Sequence, residues 1–220
     1  LTTISEVATA LEPLLNRHDD LILVHRSILI GPIGYLWRIV NIDASVDPRA
    51  FVPQMAIGVI PSPLSYVDRR WGKRLYRSDA IPTDGEGSHL YHTGEESIEE
   101  MLELIENTLL PQLRSIASTR ELLFQMSSGH FRGSSLFESA PLEFAARLIA
   151  GDFTTARMLI DENERMSEWL SWQNPALYPA LVNHDGDRIA CILREWEARA
   201  VRSMQLEAIW RRVPFEFERS

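Results

Sequence analysis

Beyond a short opening segment, apolar residues change their spacing once along this chain. Between Asp19 and Pro61 they crowd or alternate as strands require, and from Glu95 to the C-terminus they recur at helical spacing. A run of strands followed by a run of helices is the pattern of an α+β protein. The expected fold is an N-terminal helix and a small antiparallel sheet reaching to about residue 92, followed by a helical C-terminal half.

The opening segment, "TTISEVATALEPLLNRH", places Ile4, Val7, Leu11 and Leu14 on one helix face, and Pro13 is expected to shorten or kink that helix. Strand candidates follow at 19–31 ("DDLILVHRSILIG"), 34–45 ("GYLWRIVNIDAS") and 50–61 ("AFVPQMAIGVIP"). In the second, Leu36, Val40, Ile42 and Ala44 take one face, and Trp37, Ile39, Asn41 and Asp43 the other. Pro53 has no N–H to give to a ladder and marks an edge or a bulge. Short connections between the three make an antiparallel meander. Residues 61–94 are rich in Pro, Gly, Ser and Asp and read as a long irregular connection, with a short helix near Tyr66–Tyr76 and a last strand near 88–92.

Beyond residue 95 a helix capped by Ser118 is expected from Thr119, then two helices joined at a tight Gly151–Asp152 turn. "DGDRIACILREWEARAVRSMQLEAIWRR" predicts a long C-terminal helix, capped by Asp187, with Ile189, Ile192, Leu193, Trp196 and Ala200 as its apolar stripe. This texture divides the chain into a sheet domain at 1–115 and a helical region at 116–220 that can pack with it as one domain.

Net charge bounds the partners. At −9 over 220 residues, the chain is a poor non-specific ligand for nucleic acid or an anionic membrane surface. Cys191 is the only cysteine, which excludes an intrachain disulfide and a Cys-rich zinc site. No apolar run is long enough for a transmembrane helix, and no basic stretch leading into an apolar one opens the sequence. The expectation is a cytoplasmic protein.

The stretch most suggestive of chemistry is "SHLYHTGEESIEEMLELIENTLLP" at 88–111. Its glutamates fall on the outer faces of a helix whose inner face carries Ile98, Met101, Leu102, Ile105 and Leu109, and Thr93 with Glu96 has the spacing of a capping box. His89 and His92 remain, but residues three apart on a strand point to opposite faces, which is poor geometry for one metal ion. Asp185 and Asp187 do not fit an EF-hand loop, "SSGHFRGSS" lacks a nucleophile elbow, and no phosphate-binding glycine motif occurs. Cys191, between Ile189 and Ile192, reads as a small buried apolar side chain. The best surface candidate is "DRRWGKRLYR" at 68–77, where Arg69, Arg70, Lys73 and Arg74 surround Trp71. Such a patch suits an acidic partner protein or a phosphate-bearing ligand. The competing reading packs Trp71 beneath the sheet, with arginine stems covering apolar surface.

The segments "LLNRHDDL", "YLWRIVNIDAS", "FVPQMAIGV" and "IENTLLPQL" make residues 1–115 resemble a family of small bacterial α+β domains of unknown function. In that family a helix precedes a few strands, and a later helix ends in an LLPxL-type turn. The resemblance implies a fold and a bacterial source; immunity or adaptor roles are attributed to some members, and no catalytic residue carries across. The segment 142–160 is similar to a tetratricopeptide-type hairpin, without a repeat in register.

Taken together, the sequence predicts a non-enzymatic protein-binding, adaptor or immunity-type module without cofactor or metal. Its partner is another protein or a second copy of itself, and neither nucleic acid nor membrane. The binding residues expected are Arg70, Trp71, Arg74, His89 and His92. The alternative is a hydrolase, metal-dependent or otherwise, that gathers His89, His92, Asp84 and His130.

Overall fold

In the computed structural model the described residues are 3–44, 50–62, 72–75, 91–92, 94–128 and 136–219. They form an N-terminal helix, an antiparallel sheet and a helical C-terminal half, as expected of an α+β chain. Two compact units result: Leu1–Gly31, Arg38–Ile57 and Gly72–Ser115 make the first, and Pro32–Trp37, Gly58–Trp71 and Ile116–Ser220 the second.

Helix α1 (Ile4–Arg17) opens with a capping box: Thr3 Oγ1 accepts from the Glu6 amide and the Glu6 carboxylate accepts from the Thr3 amide. Val7, Ala10, Leu11 and Leu14 form its buried stripe. Pro13 does not shorten it. Both Pro13 and Thr9, whose carbonyl loses its helical donor, are exposed, so water can satisfy the freed oxygen. The segment 19–31 is not one strand but a hairpin, β1 (Leu21–Val24) against β2 (Ser27–Ile30), in the register Leu21↔Ile30 to Val24↔Ser27. Its turn is His25–Arg26, with His25 at φ 55°, a left-handed conformation usually signalled by Gly or Asn.

Strands β3 (Leu36–Ala44) and β4 (Ala50–Val59) continue the sheet, whose order is β1-β2-β3-β4-β5, with β6 (Tyr91–His92) also on β4. Residues 72–74 belong to β5 (Gly72–Arg74), not to the helix expected near them. Gly72 makes this possible: a Cβ there would run into the Met55 carbonyl and Ala56. Pro53 lies inside β4 rather than at an edge. Its carbonyl accepts from Leu75 at 2.9 Å but its nitrogen gives nothing back, and there β4 passes from β5, at Gln54–Ala56, to β6, at Ala50–Phe51.

Helix α2 (Glu95–Leu104) buries Met101 and Leu102. Its N-cap is Gly94, without a side-chain cap bond, and Thr93 of the expected Thr93–Glu96 box lies outside the described residues; Glu95 and Glu96 in the first turn favour the helix dipole. The helix then widens to a π-turn at Ile105–Leu109, with Leu110 N–H bonded to the Ile105 carbonyl, before α3 (Leu110–Arg114). Four-residue steps from Met101 through Ile105 and Leu109 to Leu113 would drift around an α-helix. The wider turn winds back part of that drift, keeping all four buried, and makes room for the ring of Pro111.

In the second unit α4 (Thr119–Ser128) is capped by Ser118, as expected: its hydroxyl accepts from Glu121 N at 3.2 Å, and Glu121 Oε2 accepts from Ser118 N at 2.9 Å. Helices α5 (Leu136–Ala150) and α6 (Phe153–Asp161) form the hairpin around Gly151, burying Leu142, Ala145, Ala146, Ile149, Phe153, Ala156 and Ile160. Gly151, at φ 83°, closes a Schellman turn in which Asp152 N bonds to Arg147 O. Helices α7 (Glu164–Gln173), α8 (Leu177–Val182) and α9 (Gly186–Ser203) complete the unit.

Two expectations for α9 are corrected. Its cap is Asp185, which accepts from Arg188 N at 3.0 Å, and Asp187 sits in the first turn. Cys191 is exposed: it lies two residues, about 200°, beyond Ile189, opposite the buried stripe.

Nor does the helix run on past Ser203. Gln205 turns left-handed at φ 56°, Leu206 N reaches back to Val201 O at 3.0 Å, and the buried pair Leu206 and Val201 completes another Schellman ending. The rest of the chain is a strap. It bridges Ile33 in parallel at Trp210, where Arg211 N donates to Ile33 O at 2.8 Å.

Arg194 of α9 ties the strap down. Its guanidinium lies 3.7 Å from the centre of the Phe215 ring and donates to Glu197 Oε2 at 2.8 Å, Val213 O at 2.9 Å and Glu218 Oε2 at 2.7 Å. Glu197 is 2 % exposed, and burial pushes its carboxyl up against the opposing pull of Arg194. Beside it, Glu216 accepts from Thr119 N at 2.7 Å and from the Tyr35 hydroxyl at 3.1 Å; burial and that carboxylate push Tyr35 up to about 12. Breaking one partner of a buried ion pair costs more than removing both. Arg194→Met is therefore expected to cost about 3–5 kcal/mol, and the double variant Arg194→Met/Glu197→Met to recover a large part of it, in urea unfolding followed by circular dichroism.

Candidate binding surfaces

Of the residues expected to bind, Arg70, Trp71 and His89 lie outside the described residues. His92 is in β6, opposite Ala50. Arg74 is in β5 and 57 % exposed, with Nη2 3.3 Å from Asp43 Oδ2. Asp43 also accepts from Asn41 Nδ2, and the buried Asn41 accepts from Ser27 Oγ at 2.8 Å. This line of polar groups crosses the sheet from β2 to β5. An ion pair so exposed is worth about 0–1 kcal/mol, so Arg74 would give up little in turning to a partner.

A second polar cluster had no counterpart in the sequence reading. At the end of α1, Arg17 forms a fork to Glu106 on the π-turn, at 3.0 and 2.7 Å, and His18 Nε2 lies 2.9 Å from the same carboxylate. Arg114 of α3 grips Asp20 at 2.9 and 2.6 Å and places Nη2 3.3 Å from His18 Nδ1. A guanidinium only donates, so Nδ1 must accept and the imidazole proton sits on Nε2, directed at Glu106. Both ring nitrogens are thus engaged, and neither is open to take a proton from a substrate. The cluster joins the α1–β1 connection to the π-turn. The fork from Arg17, helped by His18, holds the Glu106 carboxyl down at about 2, and Arg114 lowers that of Asp20.

The sign of the Glu106 shift fixes its pH dependence. A carboxyl depressed by folding stabilises fully above its ordinary value near 4.5 and loses that contribution as the pH falls towards about 2. Glu106→Gln should be less stable than the parent by a constant margin above pH 5, and the margin should close between about pH 4.5 and 2 in denaturant titrations. In nitrogen-15 NMR spectra the uncharged His18 ring should appear as the Nε2–H tautomer, and Arg114→Met should release it to a mixture.

The third surface is a cleft in the second unit, built by α6, α7 and α8. Asn174 precedes Pro175, which disfavours helical backbone for it; α7 ends at Gln173, and Asn174 turns out at φ −153°. Its side chain accepts from Ala176 N at 3.3 Å, and the short α8 begins one residue later. The helices enclose about 450 Å³ above Ile160, Leu170 and Leu177, with Ser167, Ser171 and Asn174 along the α7 side. Ile160, Leu170 and Leu177 are each buried to 3 % exposure or less. Across from them Tyr178, 43 % exposed, donates to Asp161 Oδ1 at 2.8 Å, which raises the tyrosine hydroxyl. A volume of this size with an apolar floor and a few polar rim groups is the usual form of a ligand or side-chain pocket. The sequence signals were present in "SWQNPALYP": an asparagine before proline, and an aromatic within a short apolar run.

No group of three or more His, Cys, Asp or Glu side chains is placed to hold a metal ion among the described residues, and none of their helices is long and apolar enough to cross a membrane. No family model, curated protein or solved structure matches this chain.

Proposed function

We propose that this chain is a non-enzymatic protein-binding module of adaptor or immunity type, which engages its partner through the cleft of α6, α7 and α8. The observation that carries this reading is the cleft itself: an apolar floor of Ile160, Leu170 and Leu177, open to solvent beside the half-exposed Tyr178. An aromatic residue that is apolar in body and polar at its tip is a common anchor of protein interfaces. The state of His18 supports the non-enzymatic part, since its ring nitrogens are occupied by Glu106 and Arg114. A single cysteine, Cys191, suits a reducing cytoplasm. The hydrolase alternative rests on Asp84, His89 and His130, outside the described residues, and on His92.

The test is a photo-cross-linker, p-benzoylphenylalanine, in place of Tyr178, with the exposed Arg199 of α9 as the control position. Irradiation in a lysate of the source cells should give one discrete adduct from position 178 and none from 199. An excess of the unlabelled parent chain should suppress it, and an excess of Tyr178→Ala should not. No adduct, or the same adducts from both positions, overturns the reading.

A further inference from the structure

The surroundings of the cleft are lopsided in charge. Residues 157–182 hold the carboxylates Asp161, Glu162, Glu164 and Glu168 against two cations, Arg157 and Arg165. The four carboxylates and Arg165 are exposed, and Arg157 is partly buried. On α7 the cleft takes Ser167 and Ser171, and Glu164 and Glu168 each stand one helical turn before one of these. Neither glutamate enters an ion pair among the described residues. Asp161 is half spoken for: Oδ1 accepts from Tyr178, and Oδ2 lies 3.8 Å from Arg157 Nε. The apolar floor gives an occupant affinity through burial, and the carboxylates select its charge.

We propose that the cleft takes a cationic segment of a partner protein. An apolar side chain of that segment sits on Ile160, Leu170 and Leu177, and an adjacent lysine or arginine faces Asp161, Glu164 and Glu168. The proposal rests on the protein-binding reading above and adds the chemistry of the partner. A segment with aspartate or glutamate beside its apolar anchor would meet like charge, so the same carboxylates reject as well as attract.

Three small probes separate charge from shape: 2-phenylethylamine, 3-phenylpropanamide and 3-phenylpropanoate, which share an aromatic body and differ in charge. Each is titrated at low salt into the nitrogen-15-labelled full chain, with amide shifts read by NMR. All three should move amides within 160–179, and the amine should bind tighter than the carboxylate by about fivefold or more, the factor that one unit charge near 4 Å supplies in water. That preference should shrink in 1 M salt and in Glu164→Gln/Glu168→Gln, two surface changes that leave the floor intact. Equal affinities for the three probes would overturn the cationic partner while leaving the cleft as a protein-binding surface. Absence of any shift in 160–179 would overturn it as well, and the protein-binding reading would then stand or fall on the cross-link from position 178. Shifts of the same amides on raising the protein concentration without probe would assign the cleft to a second copy of this chain and likewise overturn the proposal.

Discussion

Arg194 is the side chain on which the second unit turns. A guanidinium has donors on a rigid plane and a face that stacks on an aromatic ring, and here both are used: the edge donates to Glu197 Oε2, Val213 O and Glu218 Oε2, and the face covers Phe215. Lysine could not replace it, because a point charge cannot bond in three directions while lying flat on a ring. The strap has an apolar hold of its own: Leu206 and Phe215 are buried, and Phe217 sets its ring edge-on to Phe153 with 5.2 Å between ring centres. The charged bonds from α9 add to that hold and fix which residue of the strap meets which residue of the helix.

The first unit solves a similar problem with exposed charge. Helix α1 ends in Arg17-His18, and the irregular π-turn presents Glu106 to both. A π-turn often marks a functional site. Here its neighbours engage one another in pairs, and its visible consequence is registry: it keeps Ile105 and Leu109 inward while setting Glu106 opposite the end of α1. The cleft in the second unit differs in this respect. Its floor is apolar, its rim is acidic, and the glutamates along α7 are not matched within the described structure.

The class of fold was legible because it depends on period, and period is a local property of sequence. The hairpin around Gly151 was legible for the same kind of reason: a glycine at φ 83° ends one helix and an aspartate caps the next. His184 and Gln205 make equivalent left-handed turns at φ 51° and 56°, but neither residue type announces them, so the end of α9 was placed too late. His25 hid the β1–β2 hairpin in the same way. The Arg17–Glu106 fork spans a sequence separation of 89, and no pattern in either segment names the other. The cleft, built from nearby helices, was within reach of sequence reasoning, but its signature of Asn174-Pro175 and Tyr178 marks a turn and not a pocket. Arg70, Trp71 and His89, three of the five residues expected to bind, fall outside the described residues.

The strap also sets an order of events during synthesis. Tyr35 bonds to Glu216 across a separation of 181 residues, and Ile33 pairs with Trp210. Contacts so distant in sequence are slow to form, since their closure entropy comes due before any of them is made. A ribosome makes the chain from its N-terminus, so residues 32–37 emerge long before their partners exist. Until residues 206–219 leave the exit tunnel, Ile33 and Tyr35 have no strap to lie against. This unit is therefore completed only once the strap has been made, and a nascent chain stalled short of Phe215 presents those side chains to whatever chaperone attends it.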